Sequence, residues 1–177
     1  RLIRDGVPSI INPDDKNALE EALRIKDENP DTTVTVVSMG PPQADVAMRE
    51  ALAMGADEAI LISGREFGGS DTWATSYIIA TAIKKIPDYD IIFCGRQAID
   101  GDTAQVGPQI AEQLNIPQIT YVQKLDIEGD KVIVQRQLED GYTVVEAKMP
   151  VLLTAIKDLN TPRYMPPKGI FEAYNKT

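Results

Sequence analysis

Apolar and polar positions alternate between helical and strand-like spacing over the first two thirds of the chain. The stretch "NPDDKNALEEALRIKDE" begins with Asn12 as a helix N-cap, Pro13 at the first helical position and two acids in the first turn. Leu19 and Leu23 follow at helical spacing. The next stretch, "TTVTVVSM" at 32–39, is β-branched and nearly continuous, which is typical of a strand buried on both faces.

The same alternation continues along the chain. The stretch "ADVAMREALAMG" predicts a helix that ends at Gly55, and "DEAILIS" predicts a short strand. After the glycine-rich "GREFGGSD", "TWATSYIIATAIKKI" predicts a helix capped by Asp71; "YDIIFC" then predicts a strand and "VGPQIAEQL" a helix. Strands that alternate with helices of about 10–15 residues indicate parallel β-α-β units in an α/β fold, with helices on both faces of the sheet.

The pattern changes after Pro117. The stretch "QITYVQKLDIEGDKVIVQRQLEDGYTVVEAKMPVLLTAI" predicts three strands with turns at "EGD" and "EDG", so we expect an antiparallel meander added to the parallel sheet. The remainder is rich in proline and apolar side chains. We therefore expect a nucleotide-binding α/β domain at 1–160 and a tail at 161–177.

Composition narrows the classes of function. Among 177 residues, 43% are apolar, which argues against disorder, and the net charge of −9 argues against nucleic-acid binding. A single cysteine, Cys94, permits no internal disulfide and favours a reducing, cytoplasmic setting. The absence of histidine excludes Ser-His and Cys-His catalysis. No apolar run approaches the roughly 20 residues of a membrane span.

Four segments should meet at the carboxyl edge of the sheet, where open α/β sheets bind ligands. They are "IINPDD", "SMGPPQ", "SGREFGGSDT" and "CGRQAIDGDTAQVG". In the last of these, Gly95 and Gly101 would let the backbone approach a ligand, while Arg96 and the N-terminus of the next helix would attract an anion. Thr103 and Gln105 would add neutral hydrogen bonds.

Residue chemistry alone leaves an alternative for this loop. Asp102 would cap the helix, Asp100 would form an Asx-turn, and the glycines would only turn the chain. A magnesium site on the two aspartates has less support, because nothing else supplies oxygen ligands at a known spacing. Acid–base catalysis lacks a recognisable constellation, and "EFGGSDT" is neither a Walker motif nor GxGxxG. A bound nucleotide explains more of the loop than catalysis does.

Several stretches carry a family resemblance. In chain order, "DGVPSIINPDDKNALEEALRIKDE", "VVSMGPPQADVAMREALAMGADEAILIS", "CGRQAIDGDTAQVGPQIAEQL" and "MPVLLTAIKDLNTPRYM" resemble the beta subunit of the electron transfer flavoproteins. The most specific pieces are "GRQAIDGDTAQVGP" and "LNTPRY"; the second is similar to the family's "LNEPRY", with Thr161 in place of the acid. The resemblance implies a Rossmann-like, adenine nucleotide alpha hydrolase-like parallel sheet.

The resemblance also implies an electron carrier and no catalytic residue of its own. The partners would be a flavin-carrying alpha subunit, forming a heterodimer, and an acyl-CoA dehydrogenase-like or other flavin dehydrogenase. The segments that match the family's nucleotide-wrapping motifs contribute the implied cofactor-binding residues Asn12, Pro13, Asp14, Asp15, Met39, Gly95, Arg96, Gln97, Ala98, Ile99, Asp100, Gly101, Asp102, Thr103, Ala104, Gln105, Val106 and Gly107.

The nucleotide differs between two branches of the family. Housekeeping members carry AMP, whereas electron-bifurcating members carry a second FAD and resemble this chain at Arg96, Gly101, Thr103 and Pro108. "EFGGSDTWATS" resembles the proposed NADH landing place of the bifurcating branch, so Thr72 and Thr75 would meet NADH; ordinary capping and helix surface explain both threonines equally well. An arginine near the flavin ring would stabilise an anionic reduced form, because it keeps its charge.

The tail has two interpretations. It could be a strap that covers the sheet, or a docking loop, since exposed apolar clusters mark partner sites. In the family, the segment after "PRY" anchors the partner dehydrogenase through one apolar side chain. Here Pro167 lies near that anchor position, where leucine or valine is more usual, and Met165 or Ile170 would take its place beside Tyr164.

Two departures from the family pattern set further expectations. The family's first strand and its "VKQVPDT"-like loop do not precede Arg1, and the C-terminal arm that embraces the alpha subunit does not follow Thr177. We expect a fragment with a gap in its sheet and weak flavin binding on its own. The alternative from another class, a universal-stress-type nucleotide-binding module, lacks its "GxxGxxxxxxxxG" run here. A hydrolase with carboxylate-bound metal would require metal-dependent turnover.

Overall fold

A computed structural model describes residues 8–176. Its helices are α1 (Pro13–Glu28), α2 (Asp45–Met54), α3 (Thr72–Ile83), α4 (Val106–Leu114) and α5 (Pro167–Ala173). Its strands are β1 (Thr35–Met39), β2 (Glu58–Ile62), β3 (Ile91–Gly95), β4 (Gln118–Glu128), β5 (Lys131–Leu138), β6 (Gly141–Lys148) and β7 (Val151–Ala155). Single turns of 3-10 helix occupy Pro42–Ala44, Arg65–Phe67 and Lys157–Leu159.

The strands form two sheets. β1 and β2 form a parallel pair, and the second sheet has the order β3-β7-β4-β5-β6. Within the second sheet, β7 is parallel to both β3 and β4, whereas β4, β5 and β6 are antiparallel neighbours. The predicted α/β fold with a C-terminal antiparallel meander is confirmed.

The C-terminal region contains four strands, and the prediction of three was wrong. The run "VLLTA" is a separate strand, β7, which inserts between β3 and β4 and is buried at every position. Its side chains are apolar except for Thr154, whose hydroxyl accepts a hydrogen bond from the Tyr121 N–H at 3.1 Å. A continuous apolar run is what a central parallel strand requires, because both of its faces are covered.

Successive residues of β7 face opposite layers. Leu153 packs in a cluster with α1 and the meander, whereas Leu152 packs in the cluster of α3 and α4. A third cluster joins α1 to α2 around Leu23 and Leu52. The helices therefore lie on both sides of the second sheet, and the N-termini of α1 and α4 are brought to the carboxyl end of β3. Within residues 8–176, no helix is both long and apolar enough to cross a membrane.

Candidate functional site

The carboxyl end of β3 meets the first turn of α1 at Gly95. A Cβ on Gly95 would lie 2.6 Å from the backbone nitrogen of Asp15 and 2.8 Å from the carbonyl carbon of Asp14. The Gly95 N–H also donates to Asp15 Oδ1 at 2.6 Å. The sequence prediction assigned this glycine to the close approach of a ligand; in the structure, the close approach is that of α1.

Asn12 occupies the N-cap position of α1, as predicted, but its side chain makes no capping bond. It instead donates to Asp15 Oδ2 at 2.8 Å and to the Gln97 carbonyl at 2.9 Å, and it accepts from the Ile99 N–H at 3.1 Å. Burial raises the pKa of Asp15, and the bonds from Gly95 and Asn12 oppose that shift only in part. Asn12 thus ties α1 to the loop after β3.

The loop between β3 and α4 has an exposed tip at residues 98–103. The Asp102 N–H donates to the Ala98 carbonyl at 3.0 Å, and the Gln97 amide donates to the Asp102 carboxylate. Asp102 and Ala104 have positive φ angles of 51° and 52°. A Cβ on Gly101 would meet nothing within 4 Å, so this side of the tip is open.

The interpretation of Asp102 as a helix cap is wrong. α4 begins at Val106 with Gln105 at the N-cap position and no side-chain capping bond. The N–H groups of Val106 and Gly107 therefore lack intrahelical acceptors, and Pro108 has no N–H to offer. Such a helix N-terminus favours an anion through its free donors and its dipole. Asp102 does not cap α4, because its carboxylate accepts a hydrogen bond from the Gln97 amide within the loop.

Two buried polar atoms beside this loop have no hydrogen-bond partner among residues 8–176. They are Arg96 Nε and Gln109 Oε1. The Arg96 guanidinium is 40% exposed and lies 3.4 Å from Asp14 Oδ2, beyond good hydrogen-bond geometry for Nε. Because buried polar groups are nearly always paired, two unpaired atoms at one sheet edge fit a polar ligand that would bind there.

The N-termini of α3 and α4 lie side by side. Asp71 caps α3 by accepting from the Ala74 N–H at 2.8 Å, which confirms that prediction. The Thr72 hydroxyl lies 3.3 Å from Gln105 Oε1, and Gln109 donates to it at 3.5 Å. Thr72 is therefore part of the same edge as the loop. Thr75 lies one turn further along α3 and is half-buried, and Met39 ends β1 in the other sheet.

A magnesium site on Asp100 and Asp102 gains no support from their surroundings. In the part of the chain that the structure describes, no group of three or more His, Cys, Asp or Glu side chains lies close enough to hold a metal ion. Asp102 is bonded to the Gln97 amide, and both aspartates lie on the exposed loop tip.

Cys94 precedes the loop on β3, and its sulfur faces α4. A Cβ on Gly107 would lie 3.0 Å from its Sγ, so α4 packs directly on this thiol. Burial, and then the nearby Asp15 carboxylate, raise the pKa of the Cys94 thiol far above its ordinary value. This cysteine is therefore held as the neutral thiol.

The motif "LNTPRY" is strapped onto α1. Arg163 binds Glu20 through Nε at 2.9 Å and Nη2 at 3.0 Å, and its backbone N–H donates to the same carboxylate at 2.9 Å. Nη2 also reaches Asp27 at 2.8 Å. The hydrogen bonds to Glu20, and then to Asp27, raise the pKa of Arg163. Sequence reasoning missed this anchor, although an acid among the buried positions of α1, next to Leu19, was a signal.

Asn160 adds a second attachment of the same motif. Its amide donates to the Asn17 carbonyl at 3.0 Å and to Glu21 at 2.8 Å, and the Asn17 amide donates back to the Asn160 carbonyl at 2.8 Å. The segment that leads into α5 is thereby fixed along the middle of α1.

α5 then packs on α2 at very short range. A Cβ on Gly169 would lie 2.2 Å from the Ala53 carbonyl oxygen, so only glycine fits this contact. Arg49 donates to the Ala173 carbonyl at 2.8 Å and lies over the Tyr174 ring, 5.5 Å from its centroid. These contacts fix the orientation of α5.

The tail presents apolar side chains to solvent. Tyr164 is 96% exposed, Phe171 75% and Tyr174 71%, whereas Met165 and Ile170 are each 38% exposed. Pro167 is the first residue of α5 and is exposed. We call the exposed side chains of Tyr164, Met165, Pro167, Ile170 and Phe171 the tail surface. Phe171 was not singled out as an anchor from the sequence, and α5 exposes it beside Ile170.

Comparison with known proteins identifies the family. Residues 1–176 match the family model described as the electron transfer flavoprotein domain. The chain is 71% identical over 175 residues to electron transfer flavoprotein subunit beta of Thermoanaerobacterium thermosaccharolyticum, covering 99% of this chain and 66% of that protein.

Two further relatives have names that mention a reductase. Over 175 residues the chain is 62% identical to caffeyl-CoA reductase-Etf complex subunit CarD of Acetobacterium woodii, covering 99% of this chain and 67% of that protein. Over 178 residues it is 57% identical to acryloyl-CoA reductase electron transfer subunit gamma of Anaerotignum propionicum, covering 99% and 66%. The chain thus spans about two thirds of the length of these relatives. It belongs to the electron transfer flavoprotein family, among the beta subunits.

Proposed function

We propose that this chain binds FAD at the carboxyl edge of β3, as the beta subunit of an electron-bifurcating electron transfer flavoprotein. The observation that carries the proposal is the coincidence of three unsatisfied features at one edge. These are the free N-terminus of α4 and the unpaired buried atoms Arg96 Nε and Gln109 Oε1. Together they offer N–H donors, a fixed positive charge and an acceptor, which suit a dinucleotide.

Each part of the loop has a distinct task in this proposal. The N–H groups of Val106 and Gly107 bind the pyrophosphate, because they have no intrahelical acceptor. Thr103 and Gln105 supply neutral hydrogen bonds from the exposed side of the loop. The open space beside Gly101 admits the nucleotide, and Asp102 fixes the turn through Gln97.

Arg96 holds the charge that tunes the flavin. When bound, FAD supplies hydride acceptance and one-electron transfer. The positive charge of the guanidinium favours an anionic over a neutral flavin nearby. Asp14, 3.4 Å from Nε, keeps this side chain at the mouth of the site.

NADH would reach the same edge from the side of α3. Thr72 is already within reach of Gln105, so a dinucleotide lying over the N-terminus of α3 would contact both helices. Thr75 would make a further contact one turn along. The hydride pair received here would be split, with one electron going downhill through the flavin of the alpha subunit in the heterodimer and the other going uphill to a second acceptor of lower potential.

The tail surface would dock the partner dehydrogenase. Its apolar side chains are exposed while the backbone beneath them is fixed by Gly169 and Arg49, which suits a rigid anchor. The names of two relatives mention caffeyl-CoA reductase and acryloyl-CoA reductase, and a flavin dehydrogenase acting on an acyl-CoA is accordingly the partner we propose.

Release of bound nucleotides from the purified native complex tests the proposal. The complex is denatured, and the nucleotides are separated and counted per beta chain. We expect two FAD per heterodimer and no AMP. One FAD with one AMP would assign the chain to the housekeeping branch, ATP would favour a universal-stress-type module, and metal without nucleotide would overturn the proposal altogether.

A further inference from the structure

The first turn of α1 and the loop after β3 are joined by the side chains of Asn12 and Asp15. Asn12 uses both amide hydrogens, one on Asp15 Oδ2 and one on the Gln97 carbonyl, and its oxygen accepts from the Ile99 N–H. An asparagine amide has two donor hydrogens and one oxygen with two lone pairs. Its donors are therefore fully used within the protein.

Asp15 is engaged in the same way. Oδ1 accepts from the Gly95 N–H at 2.6 Å, and Oδ2 accepts from Asn12 at 2.8 Å. Its neighbour Asp14 points elsewhere, toward Arg96 at 3.4 Å. The two side chains thus make four hydrogen bonds, of which three go to backbone groups at Gly95, Gln97 and Ile99.

The unsatisfied atoms of the edge lie on other residues. Arg96 Nε and Gln109 Oε1 are buried without partners, whereas Asn12 and Asp15 have theirs. We propose that Asn12 and Asp15 are positioning residues, whose side-chain hydrogen bonds hold residues 95–99 in the binding shape. Only the name of the ligand rests on the proposed function; the bracing of the loop is a property of the chain itself.

The physical advantage of such a brace is preorganisation. Fixing a backbone residue in one conformation costs conformational entropy. A loop that is already held by Asn12 and Asp15 does not incur this cost on binding. The contacts that Arg96 and the N-terminus of α4 make then contribute fully to the affinity.

Amide hydrogen exchange in the full-length protein, within its native complex and stripped of nucleotide, separates bracing from ligand contact. In the unsubstituted protein, we expect the Ile99 amide to exchange at least about tenfold more slowly than its intrinsic rate, because Asn12 Oδ1 accepts from it. Exchange at the intrinsic rate would overturn the proposal, and this outcome needs no variant.

Substitutions then assign the protection to Asn12. In the stripped protein, Asn12→Ala and Asn12→Asp should each speed exchange at Ile99 and Asp102 by about tenfold, roughly the loss of one or two net hydrogen bonds. Asn29→Ala is the matched control: the Asn29 side chain donates to the Ile25 carbonyl at the other end of α1, so the loop should be unchanged.

A charge swap tests the pairing itself. In Asn12→Asp the carboxylate faces Asp15 and repels it, whereas in the double variant Asn12→Asp with Asp15→Asn one donor and one acceptor again face each other. The double variant should regain part of the protection that Asn12→Asp loses, and equal exchange in the two would contradict the brace. A fall in nucleotide affinity with unchanged exchange in stripped Asn12→Ala would make Asn12 a direct ligand contact and overturn the proposal.

Failure of the proposed function would look different. If no nucleotide binds at this edge, the protection of Ile99 and its loss in Asn12→Ala still report the brace, because both are measured without ligand. Exchange and nucleotide content therefore judge the two proposals separately.

Discussion

Two regions of this chain are tied to the same helix, α1, yet they leave opposite kinds of groups unsatisfied. The loop after β3 is braced by Asn12 and leaves polar atoms unpaired, including Arg96 Nε. The tail is strapped by Arg163, and it exposes apolar side chains such as Phe171. The first surface suits a charged small molecule and the second suits a protein. The groups that a rigid region leaves without a partner, polar or apolar, indicate the class of ligand that binds there.

The largest loss of stability should come from removing the Arg163 side chain, which holds the tail on α1. Arg163→Ala leaves the Glu20 carboxylate, which is 6% exposed, without its cation, so the free energy of unfolding should fall by about 3 kcal/mol. Urea denaturation measures this loss. Arg24→Ala removes an exposed partner of Glu21 at 3.4 Å and should cost less than about 1 kcal/mol. Equal losses in the two variants would contradict the strap.

Two glycines separate structure from ligand binding within the loop. Gly95→Ala places a Cβ against the backbone of Asp15, so stability should fall by about 2 kcal/mol. Gly101→Ala meets open space and should change stability by less than about 0.5 kcal/mol, while nucleotide affinity falls because that space is taken. Denaturation and nucleotide titration of both variants check this; a Gly101→Ala protein that binds normally would place the ligand elsewhere.

Arg96 tests the polar side of the comparison. Arg96→Ala removes a charged donor from the proposed site, which should weaken nucleotide binding by about 10- to 100-fold. The reduction potential of the flavin should also become more negative, since the fixed positive charge is lost. Calorimetric titration and redox titration measure the two effects, with Arg24→Ala as the matched control. Unchanged affinity and potential would remove Arg96 from the site.

Gly169 tests the apolar side. In Gly169→Ala the new Cβ collides with the Ala53 carbonyl and displaces α5, so the KM for the partner dehydrogenase should rise by about tenfold while nucleotide content stays constant. In Gly101→Ala we expect the nucleotide content to fall and the KM for the partner dehydrogenase to stay constant. If Gly169→Ala changed nucleotide content and spared the KM, the division between the two surfaces would fail.

The smallest effect concerns Cys94, which precedes the loop on β3. Burial raises the pKa of its thiol, so little thiolate forms in the folded protein at pH 8.5. Alkylation by iodoacetamide should be at least about tenfold slower than in the urea-unfolded chain at the same pH. Mass spectrometry follows the modification, and equal rates would show that α4 does not cover the thiol.

The sequence predicted local structure better than it predicted which distant segments of the chain pair with each other. Helix starts such as Pro13 and the Asp71 cap depend on nearby residues and were confirmed. β7 was missed because its apolar run follows β6 after a two-residue bend, and nothing local shows that the chain returns between β3 and β4.

The same distinction holds for the site. The prediction that the loop 95–107 binds a nucleotide came from its composition and from the family resemblance. The bonds of Asn12 to Gln97 and Ile99 span 85 and 87 residues, and those of Arg163 to Glu20 span 143. Such long-range pairing depends on the fold, so the sequence could not distinguish a capping asparagine from a bracing one.

The most direct test compares hydrogen exchange of the native complex with its nucleotide bound and after its removal. Binding at the edge described here should protect residues 96–107 and the first turn of α1, and leave the β5–β6 hairpin and α5 unchanged. Protection of the hairpin or α5 with none at 96–107 would contradict the account.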